Sequence, residues 1–386
     1  MILIKECEVF APENLGRKDV LIAGQKIVAI AKRLNSPTGV DVEVVSAKGL
    51  RLIPGLIDGH EHIAGAGGEG GPATRTPEVQ LSRLLAGGIT TVVGCLGTDG
   101  FTRSVESVLM KAKALRHEGI SAWIYTGSYQ VPTPTILGDI GRDLALIEEV
   151  IGVGEIAVSD HRSSCPTVQE LIRLAAQARV GGLLGGKAGI VNLHMGDAQN
   201  PFAIIYEVIQ NSEIMLTQFL PTHCNRNHYI FEDAKSYAKK GYVDVTTGGY
   251  PFYSDSEIKP SHALAELLQA GVPLEHITFS SDGCGSMPLF DKEGVLKRLL
   301  SGEPKTLFQE MIDAHRREKL TLEQALKPVT ANVADVLKLA AKGRVAVGGD
   351  ADLVLLDRED RIRHLLARGE FLMREGKILR KGTFEA

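Results

Sequence analysis

His60 and His62 stand two residues apart in the run LIDGHEH. Along an extended strand, residues at that spacing point to one side, so both imidazoles can grip one ion. Taken alone, an H-x-H pair is as readily a pair of core or surface histidines. Its weight comes from three residues further along the chain: His194 and His223 close two later apolar runs, and Asp282 closes another. Imidazoles and a carboxylate gathered from separate strands suit a zinc-type site, where a bound cation turns water into a nucleophile near neutral pH. The same run ends also carry Asp99, Tyr129, Glu155, Asp160, Arg162, Asp197 and Arg226.

These residues share a position because the middle of the chain has a rhythm. Short apolar or β-branched runs, each closing in glycine or polar residues, recur at 56–62, 89–99, 121–129, 150–160, 190–197, 218–226, 242–249 and 277–285. That spacing suits β/α units. Between them lie helix-like stretches: TPEVQLSRLLAGG, with a Thr76–Pro77 start signal and a glycine end, then VESVLMKAKALRHEG and TVQELIRLAAQARVGG. Continuous apolar strands alternating with amphipathic helices argue for a parallel sheet covered on both faces. Eight units predict an α/β fold, a (β/α)8 TIM-type barrel over 56–346, with its site at the C-terminal ends of the strands. The alternative, an open doubly wound sheet, lacks a G-x-G-x-x-G after the first strand. Residues 1–55 and 347–386 read as strands and glycine turns with too little apolar surface for separate cores. The two termini are therefore expected to pack together as a small β-sandwich domain, with the barrel inserted between them.

Composition narrows the partners. The 386 residues carry a formal charge of −4 and 44% hydrophobic residues, which gives no broad basic field for nucleic acid or an anionic membrane. No apolar run approaches the length of a membrane span, and the N-terminus does not read as a secretory signal. Cys7, Cys95, Cys165, Cys224 and Cys284 are odd in number and form no C-x-x-C, which points to a reducing, cytoplasmic setting rather than a disulfide framework. Cys224 and Cys284 adjoin His223 and Asp282. Strand neighbours point opposite ways, so packing is the better reading for Cys224.

D-G-H-E-H at the first run, His194, His223 and S-D-G at the eighth resemble the amidohydrolase superfamily of metal-dependent hydrolases. The phrases GGEGGPATRTPE, LGTD, TGSYQVP, SDHRS, GGLLGGK, HMGD, LPTHCNRN and SSDGCGS bring the chain closer to the bacterial β-aspartyl (isoaspartyl) dipeptidases, across nearly its whole length. The resemblance implies two divalent metal ions, zinc in the usual case, one held by His60, His62 and Asp282 and the other by His194 and His223. A hydroxide shared by the ions would attack the isopeptide carbonyl of a small dipeptide, with Asp282 as general base and Tyr129 donating to the oxyanion. It further implies Glu69 on the substrate ammonium, and Arg162 and Arg226 on carboxylates with Ser286 helping. Gly67 and Thr98 would be small residues beside the ligand, and the chain would form a homo-oligomer. Asp99, Asp160, His161 and Asp197 fall near the site without a ligating role. Another amide hydrolase of the superfamily, acting on a cyclic amide or N-acyl amino acid, and a non-catalytic relative are the alternatives.

One position departs from the family. Its bridging lysine, carboxylated by carbon dioxide, falls four residues before the serine of S-D-H-R, where this chain has Glu155; no lysine lies between Lys113 and Lys187. The expectation is that Glu155 bridges the ions directly. A glutamate reaches less far than a carboxylated lysine, so Gly154 is expected to form a bulge that moves the strand inward.

Overall fold

The computed structural model describes residues 1–290 and 296–385. Eight parallel strands among them make the central ring: β1 (Leu56–Glu61), β2 (Ile89–Gly94), β3 (Ser121–Thr126), β4 (Val150–Val158), β5 (Ile190–Met195), β6 (Phe219–Thr222), β7 (Val243–Thr246) and β8 (Ile277–Ser280). The first six pair in sequence order, and β7 pairs with β8 in parallel. Two seams close the ring. Cys224 N donates to Asp244 O at 3.1 Å between the sixth and seventh strands, while Asp282 N to His60 O (3.2 Å) and His62 N to Gly283 O (2.9 Å) join the eighth to the first. The strands are buried almost throughout, as expected when helices cover the outside and side chains fill the inside.

Strands from both termini meet in one nine-stranded sheet. The join is Arg51–Pro54 against Leu353–Leu356, antiparallel, with Leu52 opposite Leu355. Ile4, Cys7, Val20, Ile27, Leu52, Leu353, Leu355 and Leu366 form its separate core. Only Gly55 lies between that sheet and β1; a Cβ there would collide with Thr90, so the sheet feeds straight into the barrel.

Local signals work unevenly. The helix Val105–Glu118 starts at the Ser104 cap, and Val168–Gly185 starts in a capping box of Thr167 and Glu170. The Thr76–Pro77 signal starts no helix: the helix there is Leu81–Ala86. The Thr76 hydroxyl instead serves the loops, donating to Cys284 O at 2.6 Å and accepting from Ala66 N at 2.6 Å. The Val168 helix also runs on through Gly181 and Gly182, where a Cβ would lie 2.7 Å from Gly141 Cα and 2.6 Å from Gly189 Cα. Close helix approach, not termination, is what those glycines provide. A hairpin, Ser286–Phe290 with Leu296–Ser301, follows the eighth strand; the β/α rhythm does not predict it.

Candidate active site

The ends of strands β1, β4, β5, β6 and β8 bring His60, His62, Glu155, His194, His223 and Asp282 into one buried cluster. Glu155 is at its centre. Its Oε2 lies 3.4 Å from His60 Nε2, 3.1 Å from His194 Nδ1 and 3.6 Å from His223 Nε2, while Oε1 lies 3.5 Å from His62 Nε2. Asp282 Oδ1 stands 3.0 Å from His62 Nε2 and 3.8 Å from His60 Nε2, buried and without a well-aligned hydrogen bond among the described residues. Two groups of donors come within metal-binding reach of each other, His60–His62–Cys95–Glu155 and Glu155–His194–His223, and Glu155 belongs to both. The donor chemistry and the orphaned Asp282 oxygen fit a pair of divalent cations.

Neighbours aim the imidazoles. His60 Nδ1 is 3.0 Å from Asn192 Oδ1, and His223 Nδ1 is 2.8 Å from Thr246 Oγ1, which leaves Nε2 of each turned inward. The backbone contributes as much. Val191 pairs with Val153 but Leu193 pairs with Ile156, so β4 carries one extra residue at Gly154–Glu155. Gly154 has φ +151°, and a Cβ there would come 2.7 Å from Asn192 O. His223 (φ 63°) and Asp282 (φ 53°) both occupy the left-handed region, a conformation that costs roughly 1–3 kcal/mol and turns each side chain off its strand line.

Charge separates the roles. Burial pushes the Glu155 carboxyl up, but His60, His194 and His223 outweigh it and hold it well below the carboxylate range. Asp282 is likewise held low, chiefly by His62, against burial. Burial and the His194 charge push the His223 imidazole down to about 3, which keeps it neutral. Burial, then the Glu155 charge, drives the Tyr129 phenol well up, so Tyr129 keeps its proton; its hydroxyl is 2.7 Å from His194 Nδ1.

Around the cluster opens a cavity of about 830 Å³ lined by Gly67, Glu69, Thr98, Tyr129, Arg162, Arg226 and Ser286 together with His62, Glu155, His194, His223 and Asp282. His60 lies behind it. Thr98 Oγ1 donates to Glu69 Oε1 at 3.0 Å, and Arg162 NH1 is 3.6 Å from the same oxygen. A Cβ on Gly67, where φ is +76°, would lie 2.6 Å from Thr74 O and 3.3 Å from Ser286 Cβ.

Several residues here escape a reading of the sequence. Asp160 carries more than its position suggests: it takes Arg162 in a fork (Nε 3.0 Å, NH2 2.8 Å) and stands 3.0 Å from His194 Nε2. Its carboxyl is driven down by His194 and Arg162 against the effect of burial. Asn192, Thr246, Tyr253 and Glu257 are polar residues of ordinary type, and their spacing carries no signal. Cys95 bears in the sequence only on redox setting, yet Sγ lies 3.6 Å from His60 Nε2.

The profile of the Amidohydrolase family matches residues 208–380. A crystal structure of a β-aspartyl dipeptidase from Fervidobacterium islandicum AW-1, in complex with β-Asp-Leu dipeptide, is 43% identical with a TM-score of 0.92, and the match covers 100% of both chains. A dihydropyrimidinase from Brevibacillus agri NCHU1002 shares the fold at 18% identity and TM-score 0.66, over 98% of this chain and 96% of that one. A curated dihydroorotase of Streptococcus pyogenes serotype M3 is 28% identical over 212 residues, 50% of this chain and 47% of that protein. The chain thus aligns with about half the length of that relative. Full-length similarity at this level, on a barrel that gathers four histidines and two carboxylates at one end, shows that the chain belongs to the β-aspartyl dipeptidase family of the amidohydrolase superfamily.

Proposed function

We propose that the chain hydrolyses the isopeptide bond of β-aspartyl dipeptides, using two zinc ions held by His60, His62 and Asp282 and by His194 and His223, with Glu155 bridging them. The observation that carries this reading is the full-length similarity to a β-aspartyl dipeptidase bound to β-Asp-Leu. Bound divalent ions supply a hydroxide nucleophile at neutral pH and polarise the scissile carbonyl. Asp282, ionised, buried and itself one of the ligands, takes the proton of the attacking hydroxide and passes it to the leaving amine. Tyr129 keeps its phenol hydrogen and offers it to the developing oxyanion. Glu69, set by Thr98, receives the substrate ammonium, and Gly67 lets the backbone pass close to it. Arg162 and Arg226, with Ser286, receive the carboxylates.

A substrate panel tests this. Turnover of β-Asp-Leu, with none of α-Asp-Leu or N-acetyl-β-Asp-Leu, is expected from the zinc-loaded protein. Glu69→Gln should keep both metals and lose most of that turnover. Ring opening of dihydroorotate without dipeptide cleavage would favour the activity named for the curated relatives instead.

A further inference from the structure

Cys95 follows directly on the second barrel strand and is fully buried. Its sulfur is 3.6 Å from His60 Nε2; on His62 it lies 3.8 Å from Nδ1, not from the Nε2 that faces Glu155 and Asp282. Zinc–sulfur and zinc–nitrogen bonds of about 2.3 and 2.0–2.1 Å place two ligand atoms of a tetrahedral ion roughly 3.6 Å apart. Nitrogen and oxygen ligands of the same ion stand about 3.4 Å apart, and His60 Nε2 to Glu155 Oε2 is 3.4 Å. The sulfur and the carboxylate oxygen therefore each stand at a coordination-shell edge length from His60 Nε2, and all four donors of His60, His62, Cys95 and Glu155 lie within 4.8 Å of one another. As an ordinary core cysteine the thiol would only donate weakly to Glu61 O, 3.6 Å away.

We propose that Cys95 is a thiolate ligand of the ion held by His60 and His62, making that site a nitrogen, sulfur and carboxylate site. On binding, the S–H bond breaks, its proton leaves to solvent and a sulfur–metal bond forms. With Glu155 and Asp282 the thiolate brings three negative charges to two divalent cations. A soft ligand on one side only makes the two sites unequal: the His60–His62 site favours zinc, cobalt and cadmium over magnesium and manganese. The inference rests on the metal-centre part of the proposed function and is independent of the substrate.

Cobalt substitution tests it without reference to turnover. The full-length protein loaded with two equivalents of cobalt is expected to show a thiolate-to-cobalt charge-transfer band in the near ultraviolet. Cys95→Ser and Cys95→Ala should abolish the band and weaken one of the two sites at least tenfold in chelator competition, whereas Cys224→Ser and Cys284→Ser should retain it. A wild-type protein that holds two cobalt ions without the band overturns the Cys95 assignment and leaves the metal centre standing; this outcome requires no variant to fold. A band that survives Cys95→Ser also overturns it. Failure to bind cobalt or zinc at all would instead overturn the metal centre itself.

Discussion

Glu155 sets one carboxylate within 3.6 Å of four imidazoles, and it does so without the added carbon dioxide that a lysine bridge needs. Stripping bicarbonate during metal reconstitution should therefore leave recovery of activity unchanged. Glu155→Gln should lower the bound metal and cut turnover by roughly 100-fold, the scale of losing a metal-orienting partner; full activity with two metals would reject the bridge. Glu257 gives a second test at this scale. Its Oε2 is buried without a partner among the described residues, and burial, opposed by the Arg226 charge, raises its carboxyl to about 8. A raised folded-state value means that the folded chain keeps a proton the unfolded chain releases near about 4.3. Glu257 therefore costs stability increasingly as pH rises from that value toward 8. Glu257→Gln should melt higher than wild type at pH 9, by about 1–3 kcal/mol, with the gap closing as pH falls toward 5. A variant that melts lower at pH 9 contradicts this.

At the scale of elements, the site depends on where the strands depart from regularity. The extra residue at Gly154 presents Glu155 to the centre of the ring. That bulge passes against Asn192, whose side chain orients His60. Gly154→Ala would set a methyl 2.7 Å from Asn192 O at a φ of +151°. The expected outcome is a loss of about 1–3 kcal/mol, together with lower metal content as Asn192 and His60 shift. Thermal melting and metal analysis of the purified variant check both effects, and wild-type values in both would show that the bulge tolerates a side chain.

Across the whole molecule, the end of the barrel opposite the cluster is tied to the terminal sheet. Lys342 Nζ, buried, bonds Asp352 Oδ2 and Ser121 Oγ at 2.6 Å each and pairs with Asp350 at 2.8 Å. Ser121 begins the third barrel strand, whereas the cluster lies at the other ends of the strands. Lys342→Met takes the cation from buried Asp352, which among the described residues keeps only the Arg368 N–H at 2.7 Å, while Asp350 keeps Lys26. Removing one partner of such a buried pair typically costs about 3–5 kcal/mol. The thermal midpoint should fall clearly, while metal content and turnover well below that midpoint stay at wild-type levels. Loss of activity at low temperature in a folded variant would mean that the two ends of the barrel are coupled. Among the described residues no helix is long and apolar enough to cross a membrane.

Features that a short stretch of backbone can impose are written in the order of the residues. Strand and helix periods follow from local geometry, so the eight runs, the helical stretches from Val105 and Thr167 and the shared side of His60 and His62 were legible. Glu155 was legible too, because a single acidic residue stood where the family's lysine falls, with a glycine before it. Thr76–Pro77 misled because a start signal competes with tertiary demand, and here the loops between Ala66 and Cys284 take the hydroxyl. Which side chains converge depends on the closed fold. Closing the ring sets Cys95 beside His60, 35 residues earlier in the chain, although a lone cysteine in V-V-G-C-L-G has the local character of a small core residue. It also commits Arg162 to Asp160 and leaves a Glu257 oxygen without a partner among the described residues. Contacts across a barrel depend on strand register and on the left-handed turns at His223 and Asp282, and no local period encodes either.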